Sequence, residues 1–249
     1  MMGKLRGITL PGIGYDNISS ITSPGINVPY TTGLLGSYFL SSLAGNELKN
    51  YANPSLPLTR VGSPQPQGAY SLCDKNNCYN TGISSQTTMS VIAVSRRSAS
   101  SLSVNQGMVV SNFLTTGGVP GGDSLRLTNS TVVANTGIVG GVTNAIATIN
   151  SNVPAGDFVI QTAQFNTGSS VAGFYDPVTN SIVTASSSGT GRVLSSNNLL
   201  IGGHYDTTAF QGVSTPSVVL IYSGTISVPN YVLICNYLRF TFGPQWGIW

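Results

Sequence analysis

The sequence predicts an all-β protein, an antiparallel two-sheet sandwich with one C-terminal helix and an extended N-terminal arm. Short apolar, β-branched runs recur at intervals of about 8–12 residues, and a turn signal follows each run, which is the pattern of a sandwich or barrel. Thirty glycines and 13 prolines favour many turns and few long helices. A length of 249 residues suits one large β-sandwich domain.

The first 36 residues differ in character from the rest of the chain. The stretch from residue 10 to residue 36 has three prolines and no sustained hydrophobic period. Residues 1–36 are therefore predicted to form the extended arm, and residues 37–249 the sandwich with its helix and tail. Because the arm has too many aliphatic and aromatic residues for a plain linker, docking onto a neighbouring subunit is favoured over disorder.

The strands are predicted from short apolar runs bounded by turn residues. Residues 87–97 carry apolar side chains on both faces, which is typical of a central strand. Residues 157–165 form the longest strand candidate. Residues 68–72 and 78–83 are predicted to pair as a hairpin across the turn at 74–77. Further short strands are expected at 37–40, 107–113, 124–128, 131–134, 144–149, 170–175 and 181–185.

Residues 198–222 contain two apolar runs around a turn-rich connection. The runs at 199–201 and 218–222 are each ended by glycine-containing pairs, which suits strands of a sandwich core. They are predicted to act as one paired hydrophobic unit that completes the sandwich. Phe210 lies in the connection beside a glycine and is expected to pack under a sheet edge.

One helix is predicted near the C-terminus. Ser227 suits its N-cap, and Pro229 suits its first turn. Gly243 and the proline after it are expected to end the helix. Both tryptophans, Trp246 and Trp249, follow in the tail and need cover from the sandwich or from a neighbouring subunit. The helix would present one apolar stripe, made of Val232, Cys235, Leu238 and Phe242.

The charge content excludes several classes of partner. Only 7% of the residues are charged, against about 25% in an ordinary protein. The net charge is +3, and the basic residues are scattered, so no nucleic-acid partner is expected. No apolar run reaches the ~20 residues of a spanning helix, so no membrane insertion is expected. No apolar signal-peptide core follows the basic start, so a protein working outside the cell would leave by another route, such as lysis.

Metal, cofactor and disulfide chemistry is sparse. Cys73 and Cys78 flank a turn and are predicted either to close a disulfide across a hairpin or to remain two free thiols. One histidine and three dispersed cysteines do not supply a zinc site, and no cofactor is expected. A sparse calcium site is the alternative, with oxygen ligands from Asp123, Asp206 and loop carbonyls.

The residues give little support for an enzyme. His204 is the single histidine, and it is interpreted as a loop residue that makes hydrogen bonds. No Gly-x-Ser-x-Gly nucleophile elbow occurs. No pair of carboxylates is set by spacing for glycosidic cleavage. Binding is favoured instead, because aromatic, amide and carboxylate groups with saccharide-binding chemistry are expected in loops: Tyr205, Asp206, Asn76, Asn77 and Tyr79.

The order of several motifs resembles a known family. A strand at 158–165 is followed by a hairpin at 171–185, the Leu-x-Ile-Gly-Gly sequence at 199–203, the Phe-x-Gly sequence at 210–212, and a strand ending in Ile-Tyr before the helix. This order resembles the concanavalin-A-like, laminin-G-like jelly-roll domains of bacteriophage tail or appendage proteins. Pro216 departs from the family pattern, and the scarcity of acids argues against a family calcium site.

The resemblance implies a role as well as a fold. It implies a non-enzymatic virion protein of the phage particle, extracellular after lysis, which presents a lectin-like sandwich to host-surface glycans. Residues 1–36 would anchor it to other virion subunits, and the family implies a homo-oligomer, with a trimer favoured. The alternatives are a purely structural decoration or collar subunit that binds no glycan, and a glycan hydrolase.

Overall fold

A computed structural model describes residues 27–97, 107–116, 119–207 and 210–249. Two antiparallel sheets pack face to face, which confirms the predicted sandwich. Sheet A has six strands in the order β1–β17–β6–β13–β14–β15. Their bounds are β1 Leu34–Phe39, β6 Met89–Arg96, β13 Phe158–Phe165, β14 Ser169–Asp176, β15 Ser181–Ser188 and β17 Pro216–Ser223.

Sheet B has seven strands in the order β12–β11–β10–β7–β16–β5–β2. Their bounds are β2 Thr59–Val61, β5 Cys78–Ser84, β7 Met108–Ser111, β10 Ser124–Leu127, β11 Thr131–Ile138, β12 Gly141–Thr148 and β16 Asn198–Ile201. Two short ribbons flank the sandwich: β3 (Gln65–Pro66) with β4 (Ser71–Leu72), and β8 (Leu114–Thr116) with β9 (Val119–Gly121).

Sheet A is buried on both of its faces. Strand β6 lies in its middle and alternates between two cores, as predicted for a central strand: Val91 and Ala93 point into the sandwich core, whereas Ile92 and Val94 point to the opposite side. There a second core forms beneath the C-terminal helix. The protein therefore has three layers, which explains why the strands in the middle of sheet A read as continuous apolar runs.

The C-terminal helix is longer and less regular than predicted. It consists of α1 (Val228–Asn236), a π-helical segment (Tyr237–Phe242) and α2 (Gly243–Gln245). The predicted end at Gly243 is wrong, because Pro244 falls in the first turn of α2, where the missing N–H costs no hydrogen bond. Ser227 occupies the N-cap position but makes no side-chain capping bond. None of these helical segments is long enough to cross a membrane.

The sandwich covers both tryptophans of the tail. The Trp246 ring meets Phe39 edge-on with centroids 4.9 Å apart, and the Trp249 ring meets Phe158 at 6.1 Å. Trp249 also stacks on the Arg239 guanidinium at 4.6 Å.

Two predicted pairings are wrong. The runs at 199–201 and 218–222 do not pair: β16 belongs to sheet B and β17 to sheet A, so the connection crosses between the layers. The predicted hairpin at 68–83 is reduced to its tip. Beyond the Asp74–Asn77 pair, the Cys73 backbone exchanges hydrogen bonds with Ser214, while β5 pairs with β2 and β16.

The N-terminal part of the described chain joins the sandwich. Strand β1 begins at Leu34, inside the stretch assigned to the arm, and pairs with β17. Val28 is buried in the second core, and the Tyr222 hydroxyl donates to the Tyr30 carbonyl at 3.0 Å. The expectation of an extended arm over residues 1–26 lies outside the described residues.

Candidate binding groove

A groove of about 600 Å³ lies on the outer side of sheet A, between the C-terminal helix and the turn that joins β14 to β15. Pro29 lines it as well, so the described chain begins at the edge of the groove. No ionised side chain is among the described residues that line it. Its aromatic, amide and aliphatic lining includes Tyr175, Asn180, Leu233, Asn236, Tyr237 and Phe240.

The β14–β15 turn is held by one buried carboxylate. Asp176 Oδ1 accepts the N–H groups of Val178 and Thr179 at 2.9 and 3.3 Å, and Oδ2 accepts the side-chain amides of Asn150 and Asn152 at 2.8 Å each. Burial by itself raises the pKa of Asp176, but these hydrogen bonds outweigh it and lower the pKa to about 2. The turn is thus a fixed wall of the groove.

The π-helical segment supplies the opposite wall. A π-helical turn widens the backbone and shifts the side-chain register, and such segments are found frequently at functional sites. Here Leu238 and Phe242 remain buried in the second core, while Phe240 is 61% exposed. On α1, Leu233 is 47% exposed. Two large apolar side chains therefore stand in solvent at this groove.

The two asparagine side chains of the groove each use only part of their hydrogen-bonding capacity within the chain. The Tyr175 hydroxyl lies 2.6 Å from Asn236 Oδ1 and 3.1 Å from Asn180 Oδ1. The hydroxyl has a single proton, which goes to the nearer oxygen, so it donates to Asn236 Oδ1, and the Nδ2 of Asn236 faces away and donates to no described residue. The Asn180 amide meets the same hydroxyl with one of its two ends and leaves the other end free. The Tyr237 hydroxyl accepts the Asn27 N–H at 3.0 Å. The groove thus combines aromatic surface with an amide donor on Asn236 and a free amide end on Asn180.

A second groove, of about 500 Å³, lies between β1 and β5. Leucine and isoleucine side chains line it together with Asn53 and Gln86, and it has no aromatic ring. We therefore focus on the groove at the helix.

The predicted loop residues gather at one end of sheet B. Lys75 Nζ donates to the Thr207 carbonyl at 3.0 Å and so joins the 74–77 turn to the loop that carries Tyr205. Asn76 is exposed, and Tyr205 is half-buried, with its hydroxyl donating to Asn198 O at 3.1 Å. These two are the predicted ligands that reach the surface.

The other three predicted ligands serve the fold. Tyr79 lies in β5 rather than in a loop, is 0% exposed and bonds Ser71 through its hydroxyl at 2.9 Å, so its assignment to a loop site is wrong. Asn77 is occupied in its turn, where its Nδ2 donates to Asp74. Asp206 is buried, and its Oδ2 accepts the Thr115 N–H at 3.1 Å.

The three cysteines are free and buried, so the predicted Cys73–Cys78 disulfide is not formed and the alternative of free thiols is confirmed. Gly202 and Gly203 pack directly on these thiols. A Cβ added at Gly202 would lie 2.3 Å from Cys73 Cβ, and one at Gly203 would lie 2.5 Å from Cys78 Sγ. The double glycine is therefore needed because the backbone approaches both side chains closely.

His204 makes the hydrogen bonds predicted for it. Its Nδ1 accepts the Asp206 N–H at 3.1 Å, so the ring proton sits on Nε2, which donates to Phe210 O at 3.0 Å. Burial lowers the pKa of His204. The ring is therefore a neutral structural group rather than a base facing solvent.

Asp123 is buried in an ion pair, which removes the suggestion of a calcium ligand or catalytic acid there. Arg192 Nη2 lies 2.7 Å from its Oδ2, and both side chains are at most 3% exposed. Ser85 also donates to Oδ2, and Thr136 donates to Oδ1. No group of three or more metal-ligating side chains occurs in the described part of the chain.

Sequence reasoning missed the groove entirely. Asn236 lies 61 residues along the chain from Tyr175, and its proximity to Tyr175 and Asn180 depends on how the helix packs on sheet A. A signal was present in the helix itself: Leu233 and Phe240 lie off the apolar stripe that faces the core. Exposed apolar residues beside a buried stripe indicate a second contact surface.

The chain is similar in structure to several binding domains. The binding domain of Paraclostridial Mosquitocidal Protein 1 matches with a TM-score of 0.59 and 9% identity over 83% of this chain and 53% of that one. The receptor binding domain of botulinum neurotoxin D matches with a TM-score of 0.58 and 12% identity over 84% and 54%. A mutant of Trypanosoma rangeli sialidase matches with a TM-score of 0.54 and 10% identity over 82% and 33%.

These likenesses establish the fold alone, because the identities are low. The chain spans about half the length of the two toxin domains and a third of the sialidase. No protein-family model matches the chain, and no curated protein matches it. The lectin-like jelly-roll part of the sequence resemblance agrees with these neighbours, whereas its phage part has no support from them. The chain is therefore a β-sandwich whose fold is similar to part of each of these structures.

Proposed function

We propose that the protein is a non-enzymatic, lectin-like binding domain that holds a neutral saccharide in the groove at the helix. The observation that carries the proposal is the combination of exposed Phe240 with the free Nδ2 donor of Asn236 and the free end of the Asn180 amide. Sugar rings present C–H faces to aromatic surface and hydroxyl oxygens to amide donors. Such contacts need no charge, which suits a groove without ionised side chains.

The structural neighbours favour binding over catalysis. Two of them are binding domains, and a further neighbour is botulinum neurotoxin type C, whose cell entry depends on interaction with two ganglioside molecules. The sialidase neighbour is an enzyme, but a groove without carboxylates offers no acid–base pair for glycosidic cleavage. Recognition of a host-surface glycan is the role that agrees with all of these observations.

The test is a glycan array followed by calorimetric titration of the strongest neutral hit. Phe240→Ala is expected to weaken binding by about tenfold or more, since it removes a ring worth about 1.5–3 kcal/mol of apolar burial. Phe240→Tyr keeps the ring and should bind nearly as well. Val139→Ala is the matched control, because Val139 is another exposed apolar residue. Equal binding by the Phe240→Ala variant and the control would move the site elsewhere.

We also propose a biological setting, for which the motif order of the sequence is the support. The domain would be a component of a bacteriophage tail or appendage, carried in the particle and released by lysis. Residues 1–36 would dock onto other virion subunits, and the assembled form would be a trimer. Mass spectrometry of purified particles and light scattering of the isolated chain test these points; a monomer absent from particles contradicts both.

A structural decoration subunit is the second candidate, favoured by the apolar lining of the groove. In that case Leu233 and Phe240 would be covered by a neighbouring virion protein and no glycan would bind. Cryo-electron microscopy of the particle separates the two roles by showing whether the groove faces protein or solvent. Should solvent reach the groove, exposed Asn76 at the 74–77 turn and half-buried Tyr205 in the neighbouring loop remain a second surface to test on the same array.

A further inference from the structure

Arg126 is placed unusually for a cation. It lies in β10, between β11 and β7 in sheet B. Its neighbours Leu125 and Leu127 point into the sandwich core, so Arg126 projects from the outer face of the sheet. The side chain is largely buried there, and burial lowers the pKa of the guanidinium.

Arg126 differs from the other arginines of the described chain in its lack of partners. It donates no hydrogen bond to any described residue, and its Nε is shielded from solvent without an acceptor. Arg192 also has an unpaired Nε, but its terminal nitrogens meet Asp123 and two carbonyls. The remaining described arginines, Arg60, Arg96, Arg97 and Arg239, each have a carboxylate or carbonyl partner.

The described part of the chain has no spare carboxylate side chain to supply. It contains seven acidic residues, of which Asp16 lies outside the described part. The internal stretches outside the described part contain no Asp or Glu. No carboxylate acts on the pKa of Arg126. The six described acids have partners of their own: Glu47 with Arg60, Asp74 with Asn77, Asp123 with Arg192, Asp157 with Arg239, Asp176 with Asn150 and Asn152, and Asp206 with the Thr115 N–H.

The guanidinium rests on a fixed aromatic platform. Its central carbon lies 4.6 Å from the centre of the Phe210 ring. Phe210 has a φ of +51°, a left-handed conformation that an aromatic residue rarely adopts. His204 Nε2 holds its carbonyl, and Phe113 meets its ring edge-on at 5.5 Å. The platform orients the guanidinium plane without using any of its donors.

We propose that Arg126 and Phe210 form a binding site for the oxyanion of an acidic saccharide, carried as a carboxylate or a sulfate ester. A guanidinium stacked on a ring keeps its terminal N–H groups directed outward in one plane, which matches two oxygens of such a group. The anion supplies the charge and the acceptors that no described residue offers to Arg126. That the carrier is a saccharide rests on the proposed function; the oxyanion site itself does not.

The test is calorimetric titration of the whole protein at low salt with glucuronate, glucose 6-sulfate, glucose and inorganic sulfate. The acidic ligands are expected to bind at millimolar concentration and to weaken with added salt. Arg126→Gln should weaken them by about tenfold or more, because charge-assisted hydrogen bonds are lost. Arg126→Lys keeps the charge without the planar fork and should fall between the two. Arg96→Gln removes an equal charge from an exposed position and should bind as the natural protein does.

Three results overturn the site: no acidic ligand binds, Arg126→Gln binds as well as Arg96→Gln, or Phe210→Leu leaves the acidic ligands unaffected. The two proposals fail separately. If Phe240→Ala loses neutral-saccharide binding while Arg126→Gln keeps it, the groove is supported. Titration of Arg126→Gln with the acidic ligands then supports or overturns the oxyanion site separately. Binding of inorganic sulfate through Arg126 without any saccharide supports the oxyanion site and removes the saccharide carrier.

Discussion

Two polar regions of the protein treat their hydrogen-bonding groups differently. Around Asp123 and Arg192, deep between the sheets, both carboxylate oxygens and both terminal nitrogens of the arginine meet partners in the chain. Around Asn180 and Asn236, at the groove, each amide uses one of its two ends on Tyr175 and leaves the other end free. Saturated polar groups stabilise and fix a fold, whereas half-used ones on a rigid support are available to a ligand.

The largest effect is expected when the ion pair between Asp123 and Arg192 is broken. Asp123→Ala leaves Arg192 charged and buried without its partner, so the free energy of unfolding should fall by about 3–5 kcal/mol in urea denaturation. Asp157→Asn is the control, because its ion pair with Arg239 is 3.8 Å long and partly exposed and should matter by less than about 1 kcal/mol. Equal losses in the two variants would mean that the Asp123 network is not saturated as described.

The next largest effect is expected at Asp176, which belongs to both regions. Both of its carboxylate oxygens accept hydrogen bonds within the chain, and the turn that it holds is a wall of the groove. Asp176→Asn should cost about 1–3 kcal/mol at neutral pH through lost hydrogen bonds. Since the folded pKa is about 2, below the ordinary value of an unfolded Asp, the carboxylate contributes its full stability above about pH 4. That contribution is lost as the pH falls toward 2. Unfolding curves of the two proteins should therefore converge in acid; a constant gap contradicts the pKa.

A smaller effect, on saccharide affinity, is expected when the Asn180 amide is removed from the groove. Asn180 has a φ of +51°, which glycine adopts freely, so Asn180→Gly should keep the turn and remove only the amide. Saccharide affinity is expected to fall by about fivefold, the value of one hydrogen bond, while the melting temperature changes little. A large loss of melting temperature would assign the amide to the fold instead of the ligand.

The smallest effect concerns His204, a neutral group that belongs to the saturated class. Its pKa is lowered, chiefly by burial, so the folded protein favours the neutral ring. The stability it contributes is present above the pKa of an unfolded histidine and is lost as the pH falls through the lower folded value. His204→Gln should remove this loss between pH 7 and 5, as measured by urea denaturation at each pH.

Individual strands could be predicted from the sequence, whereas the pairing of strands distant along the chain could not. Runs with apolar groups on both faces, such as residues 87–97, predicted a central strand because burial on two sides leaves a direct mark on composition. The partners of β16 and β17 left no such mark, since sheet membership depends on which strands meet in space. Tyr79 was misplaced for the same reason: its burial follows from pairing with β2 and β16.

The candidate site was beyond local reasoning for a further physical cause. Helix signals near Gly243 pointed to an end, yet the chain continues because the π-helical segment changes the register before Pro244. That same segment brings Tyr237 and Phe240 to the turn after β14. Neither the widened helix nor the contact with Asn180 is encoded in spacing along the chain.

The buried cysteines can report the order in which parts of the protein unfold. Cys73, Cys78 and Cys235 are all shielded from solvent, and burial raises the pKa of each thiol, that of Cys78 to about 12. An alkylating reagent needs an accessible thiolate, so it reacts only after the chain opens. Cys73 lies in the core between the sheets and Cys78 packs against Gly203, whereas Cys235 lies under the helix. Their separate labelling rates would time the release of the helix against the parting of the sheets.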